Sequence, residues 1–311
     1  MAFLKEFGSY LPSKVVTNRE IGAHVGCDTE WIRNVSGIEE RRFAAEDETV
    51  SDMAVHAARD CMQRAGMAIN EIKMLLVASG SSDRQFPGPA ASVAKALGLE
   101  SIPAVDLPMA SAGSLFGLSL AARLAESVGN ILVIGSEKMS QIIERQPMER
   151  AVAILFGDGA GACLVTPLDG KAEVVDSAIY TDGSFTEDLR LEFGAPMEMN
   201  GRSVILQATR KIPRAISDLL TKHNCNVSEI GIFLMHQANQ NLIARIAKSL
   251  GVAEDRFYSN ISRYGNTSSA SMLIAAAEWS NSVGFEAGVP VCFAAFGAGF
   301  HWGALLAVGR G

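Results

Sequence analysis

Four short runs along the chain are apolar at nearly every position: LLVAS (75–79), NILVIG (130–135), IFLMH (232–236) and PVCFAAF (290–296). A strand with one wet face alternates apolar and polar residues. Unbroken runs suit strands covered on both faces, as in parallel sheets flanked by helices. The segments between them place apolar residues at helical spacing, so each half reads helix, strand, helix, strand. This predicts an α/β protein with mostly parallel sheets. Chemistry is then expected beyond the C-terminal ends of strands, after LLVAS, PAVD (103–106), IFLMH and CFAAF (292–296).

The pattern repeats. AINEIKMLLVA (68–78) matches NVSEIGIFLMH (226–236) at an offset of 158 residues, and upstream Asp60-Cys61-Met62 faces Asp218-Leu219-Leu220 at the same offset. Downstream, MASAGSLFGLSLAA (109–122) falls opposite TSSASMLIAAA (267–277), both opening an apolar helix. GNILVIGSEKMS (129–140) falls opposite GVPVCFAAFGAG (288–299) with a shift of one. Four matches in order at nearly one offset predict two similar halves, near 1–168 and 169–311, sharing a layer of central helices.

Composition narrows the class. With 311 residues, 48% hydrophobic and 20% charged, the chain buries a large core and is not disordered. A net charge of −7 argues against a general nucleic-acid binder. Five scattered cysteines (Cys27, Cys61, Cys163, Cys225, Cys292) form neither a disulfide framework nor a CxxC zinc site. No signal peptide or membrane-spanning run is expected. A cytoplasmic location follows as the expectation.

The richest polar cluster follows IFLM: His236, Gln237, Ala238 and Asn239, joined later by Tyr264-Gly265-Asn266-Thr267-Ser268-Ser269. A His and an Asn at strand ends can converge on a carbonyl oxygen, or act as acid/base and orienting group. Equally, His236 suits a hydrogen-bonded core histidine and Asn266 a turn or cap residue. Ser111, in Asp106-Leu107-Pro108-Met109-Ala110-Ser111-Ala112-Gly113, stands where an apolar helix begins and amides converge. It fits a polarised nucleophile or a plain helix cap. Gly297-Ala298-Gly299-Phe300 offers backbone amides to an oxyanion. Gly157-Asp158-Gly159-Ala160-Gly161 lacks the strand-turn-helix context of a dinucleotide site, and there is no GxxxxGK[ST] or GxSxG motif.

The motifs together resemble β-ketoacyl-acyl-carrier-protein synthase III, of the thiolase superfamily. They are GSYLPSKVVTN (8–18), EWIRNVSGIEERR (30–42), QFPGPA (85–90), ILVIGSE (131–137), ILFGDGAGA (154–162), MNGRSVI (199–205), HQANQNLI (236–243), YGNTSSAS (264–271) and FGAGFHWGA (296–304). The resemblance implies a five-layered αβαβα fold of two duplicated halves and a homodimer. The first half then carries the nucleophile position, and the second the His/Asn pair and the glycine-rich loop. It implies acyl transfer from acyl-CoA, a substrate, with no cofactor or metal, and then decarboxylative condensation with malonyl-acyl carrier protein. By the same resemblance His236 and Asn266 hold the malonyl thioester carbonyl, and the amides of Ser111 and Ala298 form the oxyanion hole. Phe86 lines the acyl pocket of the partner subunit, and Trp31, Arg150, Gly201 and Asn239 belong to the substrate path.

One position departs from the family pattern. Where the family reads Ala-Cys-(Ala/Ser)-Gly-Phe, this chain has Ala110-Ser111-Ala112-Gly113-Ser114. A thiol ionises readily at a helix N-terminus; an alcohol is far more basic and needs a base, for which His236 is the candidate. Four readings stay open: slow condensation through Ser111, Ser-dependent acyl transfer to another acceptor, an engineered Cys-to-Ser trap, or a non-catalytic partner binding acyl-CoA or carrier protein. Val35 stands where the family often has a CoA-gripping Arg, His301 replaces the usual Thr, and Asn241 replaces the Arg after HQAN. Residues 201–250 hold seven Lys/Arg against Asp218 and Glu229. Arg210 with Arg214 and Arg245 with Lys248 then form helix faces suited to an acidic carrier protein.

Overall fold

The computed structural model describes residues 1–145 and 149–311. β1 (Phe3–Tyr10) leads into a ribbon of β2 (Lys14–Thr17) and β3 (Glu40–Phe43), which encloses α1 (Asn18–Val25) and α2 (Thr29–Ser36). Then come α3 (Val50–Ala65), β4 (Met74–Ala78), α4 (Pro89–Ala96), β5 (Ala104–Leu107), α5 (Gly113–Val128) and β6 (Ile131–Glu137). Short α6 (Ser140–Ile143) and α7 (Arg150–Ala153) precede β7 (Gly159–Thr166).

The order then repeats. β8 (Ala172–Thr181) is followed by a ribbon of β9 (Leu189–Arg190) and β10 (Glu198–Met199), then α8 (Gly201–Lys222), β11 (Ile232–Met235) and α9 (Gln240–Leu250). After α10 (Ile261–Tyr264) come α11 (Ser271–Ser282), β12 (Pro290–Gly297) and β13 (His301–Gly309). One-turn 3-10 helices, Ile69–Glu71 and Val227–Glu229, precede β4 and β11 at the same spacing in both halves. Helix ends follow local chemistry. Thr49 and Asp52 form a capping box at the start of α3, which stops at Gly66 with φ +64°.

In the strand order β11-β12-β13-β8-β1-β7-β6-β4-β5 the two halves mirror each other about the β8–β1 joint, where Phe3 and Leu4 pair with Glu173 and Ala172, except that edge strand β5 has no counterpart. α5 and α11 touch strands of both halves; α3 and α4 cover the first half-sheet from outside, and α8 and α9 the second. Five layers result. Alternate residues of one strand serve different layers, which is why the apolar runs are unbroken. Leu76, Val133 and Val165 point to the central layer, while Leu75, Leu132 and Leu164 meet α3 and α4. In the second half Leu234, Phe293 and Leu305 point inward, and Phe233, Cys292 and Leu306 point toward α8 and α9.

Sheet direction differs from the expectation. Among the named strands, parallel pairing joins β5–β4–β6 and β11–β12. The joints β1–β7, β6–β7, β12–β13, β13–β8 and β1–β8 are antiparallel. Only Ala298–Phe300 separate β12 from β13, and a connection that short permits nothing but an antiparallel return. Among the described residues no helix is long and apolar enough to cross a membrane.

Leu115 sits fully buried in α5, within the core shared by both halves. Truncation there leaves a cavity that neither half-sheet can close. Leu115→Ala is expected to lower stability by about 2–5 kcal/mol. A urea midpoint indistinguishable from the parent would contradict the central placement of α5.

Candidate active site

Ser111 lies between β5 and α5 with φ +64°, a left-handed backbone that a serine seldom adopts. The Ala112 N–H donates to Ala110 O at 2.7 Å, closing a three-residue turn around it. Ser111 does not cap the helix: α5 starts after Ala112 with no side-chain cap. Its backbone N–H donates to Ser268 Oγ at 2.9 Å, and the two hydroxyl oxygens stand 3.5 Å apart. Ser268 also has positive φ, +47°. Two glycines allow this crowding. A side chain on Gly297 would collide with the Ala110 carbonyl, and one on Gly80 with Ala110 Cβ.

Asn266 is stitched to the segment after α7. Its N–H donates to Leu155 O at 2.9 Å, and its carbonyl accepts from Gly157 N–H at 3.1 Å. Its side-chain Oδ1 accepts from Ser268 N–H at 2.9 Å. A backbone N–H can only donate, so the amide NH2 is the end left for the cavity. His236 continues the β11 ladder, its N–H donating to Ala294 O at 2.9 Å. Its Nδ1 meets Ser271 Oγ at 2.6 Å. Burial pushes its pKa down to about 4, because a charged ring loses its water and a hydrogen bond to the Ser268 backbone offsets that loss only in part.

Ser111 stands where two cavities meet. The first is lined by Ser111, His236, Asn266 and a mostly apolar wall including Phe156, Leu242 and Phe296, and reaches Gly201 and Asn239 at the N-termini of α8 and α9. The second is lined by Ser111, Ala298, Ser268, Pro108, Met139 and Met197, among others. Ser111, Phe156 and Leu189 border both. The fold thus brings together Ser111, His236, Asn266 and Ala298 from both halves.

Other expected residues behave differently. Asn239 has both side-chain groups engaged: Oδ1 accepts from Asn241 N–H at 2.8 Å, and Nδ2 donates to Val35 O at 2.8 Å. It caps α9 and ties it to α2. Asn241 donates to Asn34 O and Val35 O, so it serves the same tie. Trp31 and Arg150 line neither cavity; the guanidinium lies over the indole at 4.8 Å. Phe86 is 84% exposed and lines neither cavity of its own chain. Arg210 and Arg214 of α8 and Arg245 and Lys248 of α9 are exposed, with Arg214 3.5 Å from Asp218. His301 bonds Thr181 Oγ1 through Nδ1 and meets Phe116 edge-on, away from both cavities. The Ser111 amide, expected free for an oxyanion, is taken by Ser268 Oγ.

Sequence reasoning missed Ser268, Ser271 and Glu137. Glu137 is wholly buried at the end of β6 and accepts from Gly80 N–H, Ser79 and Ser81 hydroxyls and Ser269 N–H. It holds the loops on both sides of the Ser111 turn. The available signal was a run of polar residues, Ser268-Ser269 and Ser271, at the head of an otherwise apolar helix. No cysteine lines either cavity; burial drives the Cys61, Cys163 and Cys292 thiols far upward.

Two family models match the chain: 3-oxoacyl-[acyl-carrier-protein (ACP)] synthase III over residues 105–183, and the same family's C-terminal model over 220–308. A β-ketoacyl-[acyl-carrier-protein] synthase III of Vibrio parahaemolyticus is 37% identical over 308 residues, 96% of each chain. The crystal structure of 3-oxoacyl-[acyl-carrier-protein] synthase III from Aquifex aeolicus superposes with a TM-score of 0.94 at 32% identity, covering 99% of this chain and 100% of the other. The priming β-ketosynthase of the R1128 polyketide pathway gives 0.92 at 29% identity, covering 100% and 97%. Ser111 falls in the first matched stretch, and His236, Asn266 and Ala298 in the second.

The lowered His236 pKa has a definite sign. A ring held neutral contributes stability that is complete above its ordinary pKa near 6.5, and lost as pH falls toward about 4. An imidazole NMR titration is expected to place the His236 midpoint near 4. A midpoint near 6.5 would mean that the ring is solvated.

Proposed function

The chain belongs to the 3-oxoacyl-[acyl-carrier-protein] synthase III family of the thiolase superfamily and is an enzyme of that type, and we propose that it transfers an acyl group from acyl-CoA to Ser111 and condenses it with malonyl-acyl carrier protein. The observation that carries this reading is the position of Ser111, on a strained turn where the cavity with His236 and Asn266 meets the cavity with Ala298.

In the first half-reaction the Ser111 hydroxyl attacks the acyl thioester carbonyl, and its proton passes to His236. The Ala298 amide receives the developing oxyanion. The Ser111 amide joins it only if Ser268 Oγ gives up that N–H. The C–S bond breaks, and the departing thiolate takes the proton from His236, leaving an acyl-Ser ester and free CoA thiol. A neutral imidazole is the form needed for the first transfer, and the buried site keeps His236 in that form.

In the second half-reaction the malonyl C–C bond breaks, releasing carbon dioxide and leaving an enolate. Asn266 NH2 donates to the enolate oxygen. The enolate carbon attacks the acyl-Ser carbonyl, the C–O bond breaks, and the Ser111 alkoxide takes one proton. That proton comes from solvent through His236, so condensation consumes one proton per turn. An ester is a poorer acyl donor than a thioester, so this step is slow for a serine.

Entry follows the same logic. The first cavity is bordered by Gly201 and Asn239 at the N-termini of α8 and α9, and the exposed positions of these helices include Arg210, Arg214, Arg245 and Lys248. These would attract an acidic carrier protein. Asn241 is tied to α2 and contributes no charge. The stacked Trp31 and Arg150 present a flat cationic surface for the nucleotide of CoA. Exposed Phe86 is assigned to the pocket of the partner in a homodimer.

Incubation with short and medium acyl-CoA is expected to add the acyl mass to the peptide containing Ser111, and Ser111→Ala is expected to abolish it. An unmodified peptide with every acyl-CoA would remove covalent transfer through Ser111. Ser111→Cys is expected to raise condensation at least tenfold by restoring a thiol leaving group. No gain would mean that the second half-reaction is not supported by the rest of the site.

A further inference from the structure

Ser271 opens α11, and its hydroxyl sits among three polar partners. These are His236 Nδ1 at 2.6 Å, the Gln237 N–H at 3.2 Å and the Ser268 carbonyl oxygen at 3.0 Å. A serine hydroxyl has one proton to give and two lone pairs. The Gln237 N–H can only donate, so it takes a lone pair. The Ser268 carbonyl can only accept, so it takes the proton. One lone pair remains for His236 Nδ1, and that contact is attractive only if Nδ1 carries the hydrogen. Turning the hydroxyl toward Nδ1 would instead leave two oxygen lone pairs facing each other at 3.0 Å. All four residues are buried, so no bulk water relieves such a clash.

We propose that Ser271 is a positioning residue that holds His236 as the Nδ1–H tautomer, leaving Nε2 unprotonated toward the cavity. The neighbouring Ser268 N–H fixes Asn266 in the opposite sense, with its NH2 toward the cavity. The loop from Ser268 to Ser271 therefore presents one acceptor and one donor to a substrate. Resting on the reading of Ser111 as acyl acceptor, the division of labour is specific. His236 Nε2 takes the Ser111 proton in the first half-reaction. Asn266 alone meets the enolate oxygen until His236 has gained the solvent proton.

The tautomer matters for rate: in the Ser-His-Asp triad the wrong one costs about 10⁴ in kcat. Long-range ¹H–¹⁵N NMR of histidine-labelled enzyme reads it directly, with no substrate present. At pH 7 the expected spectrum of His236 has a protonated Nδ1 and a bare Nε2. Ser271→Ala should shift the ring toward Nε2–H and slow acylation about tenfold or more, with Ser271→Thr keeping both near the parent. A parent spectrum with Nε2–H, or an unchanged tautomer in Ser271→Ala, overturns the proposal even if Ser111 is acylated. A bare Nε2 in an enzyme that never acylates Ser111 sustains the tautomer and refutes only the acyl-transfer reading. Ser271→Thr shows whether a loss in Ser271→Ala comes from the hydroxyl or from folding.

Discussion

The structure turns on one crowded contact: the left-handed Ser111 turn pressed against the Ser268 loop and the Gly297 backbone. The Ser111 N–H is committed to Ser268 Oγ, 157 residues away in sequence. That bond joins the heads of the two central helices, one from each half. A side chain at Gly297 or Gly80 would force the turn away. Duplication thus has a functional consequence. Each half alone has one central helix with an open N-terminus; only together do they place a hydroxyl, an imidazole and an amide around one space.

Burial then sets the chemistry. The central layer is buried, so its polar groups are mostly partnered or altered in their protonation, Ser114 Oγ being a buried hydroxyl with no partner among the described residues. His236 is altered, its pKa held near 4. Glu137 is partnered by four residues of two loops, which locks both against the Ser111 turn. Arg41, outside the cavities, follows the rule in part, its Nε having no partner among the described residues. Fully buried, it donates to Asn18 Oδ1 and Ile154 O and packs under Gly157 and Gly265, bracing the segments that carry Asn266.

Much of this was legible in the residue pattern. Unbroken apolar strands and the 158-residue repeat gave the layers, because strands covered on both faces must be apolar on both. Strand direction was not legible, since β1 and β8, which carry Lys5, Glu6, Glu173 and Asp176, form no unbroken apolar run, and apolar runs alone do not tell which neighbour a strand pairs with. Ser111, His236 and Asn266 stood out because they follow strands or open helices. Ser268 and Ser271 did not, because a serine at a helix start is ordinary and only distant partners give it meaning. Asn239 carries a role that HQAN did not show: it borders the first cavity, and its Oδ1 caps α9 while its Nδ2 ties α9 to α2.

The central claim is that a serine works here only because His236 serves as its base. The direct measurement is the single-turnover acylation rate of four proteins: parent, His236→Ala, Ser111→Cys, and Ser111→Cys with His236→Ala. General-base assistance predicts that His236→Ala slows Ser111 acylation by about 10²–10⁴. The same change should cost the cysteine protein far less, since a thiol at a helix N-terminus ionises without help. Equal losses in the two backgrounds, or no loss with Ser111, would contradict the account.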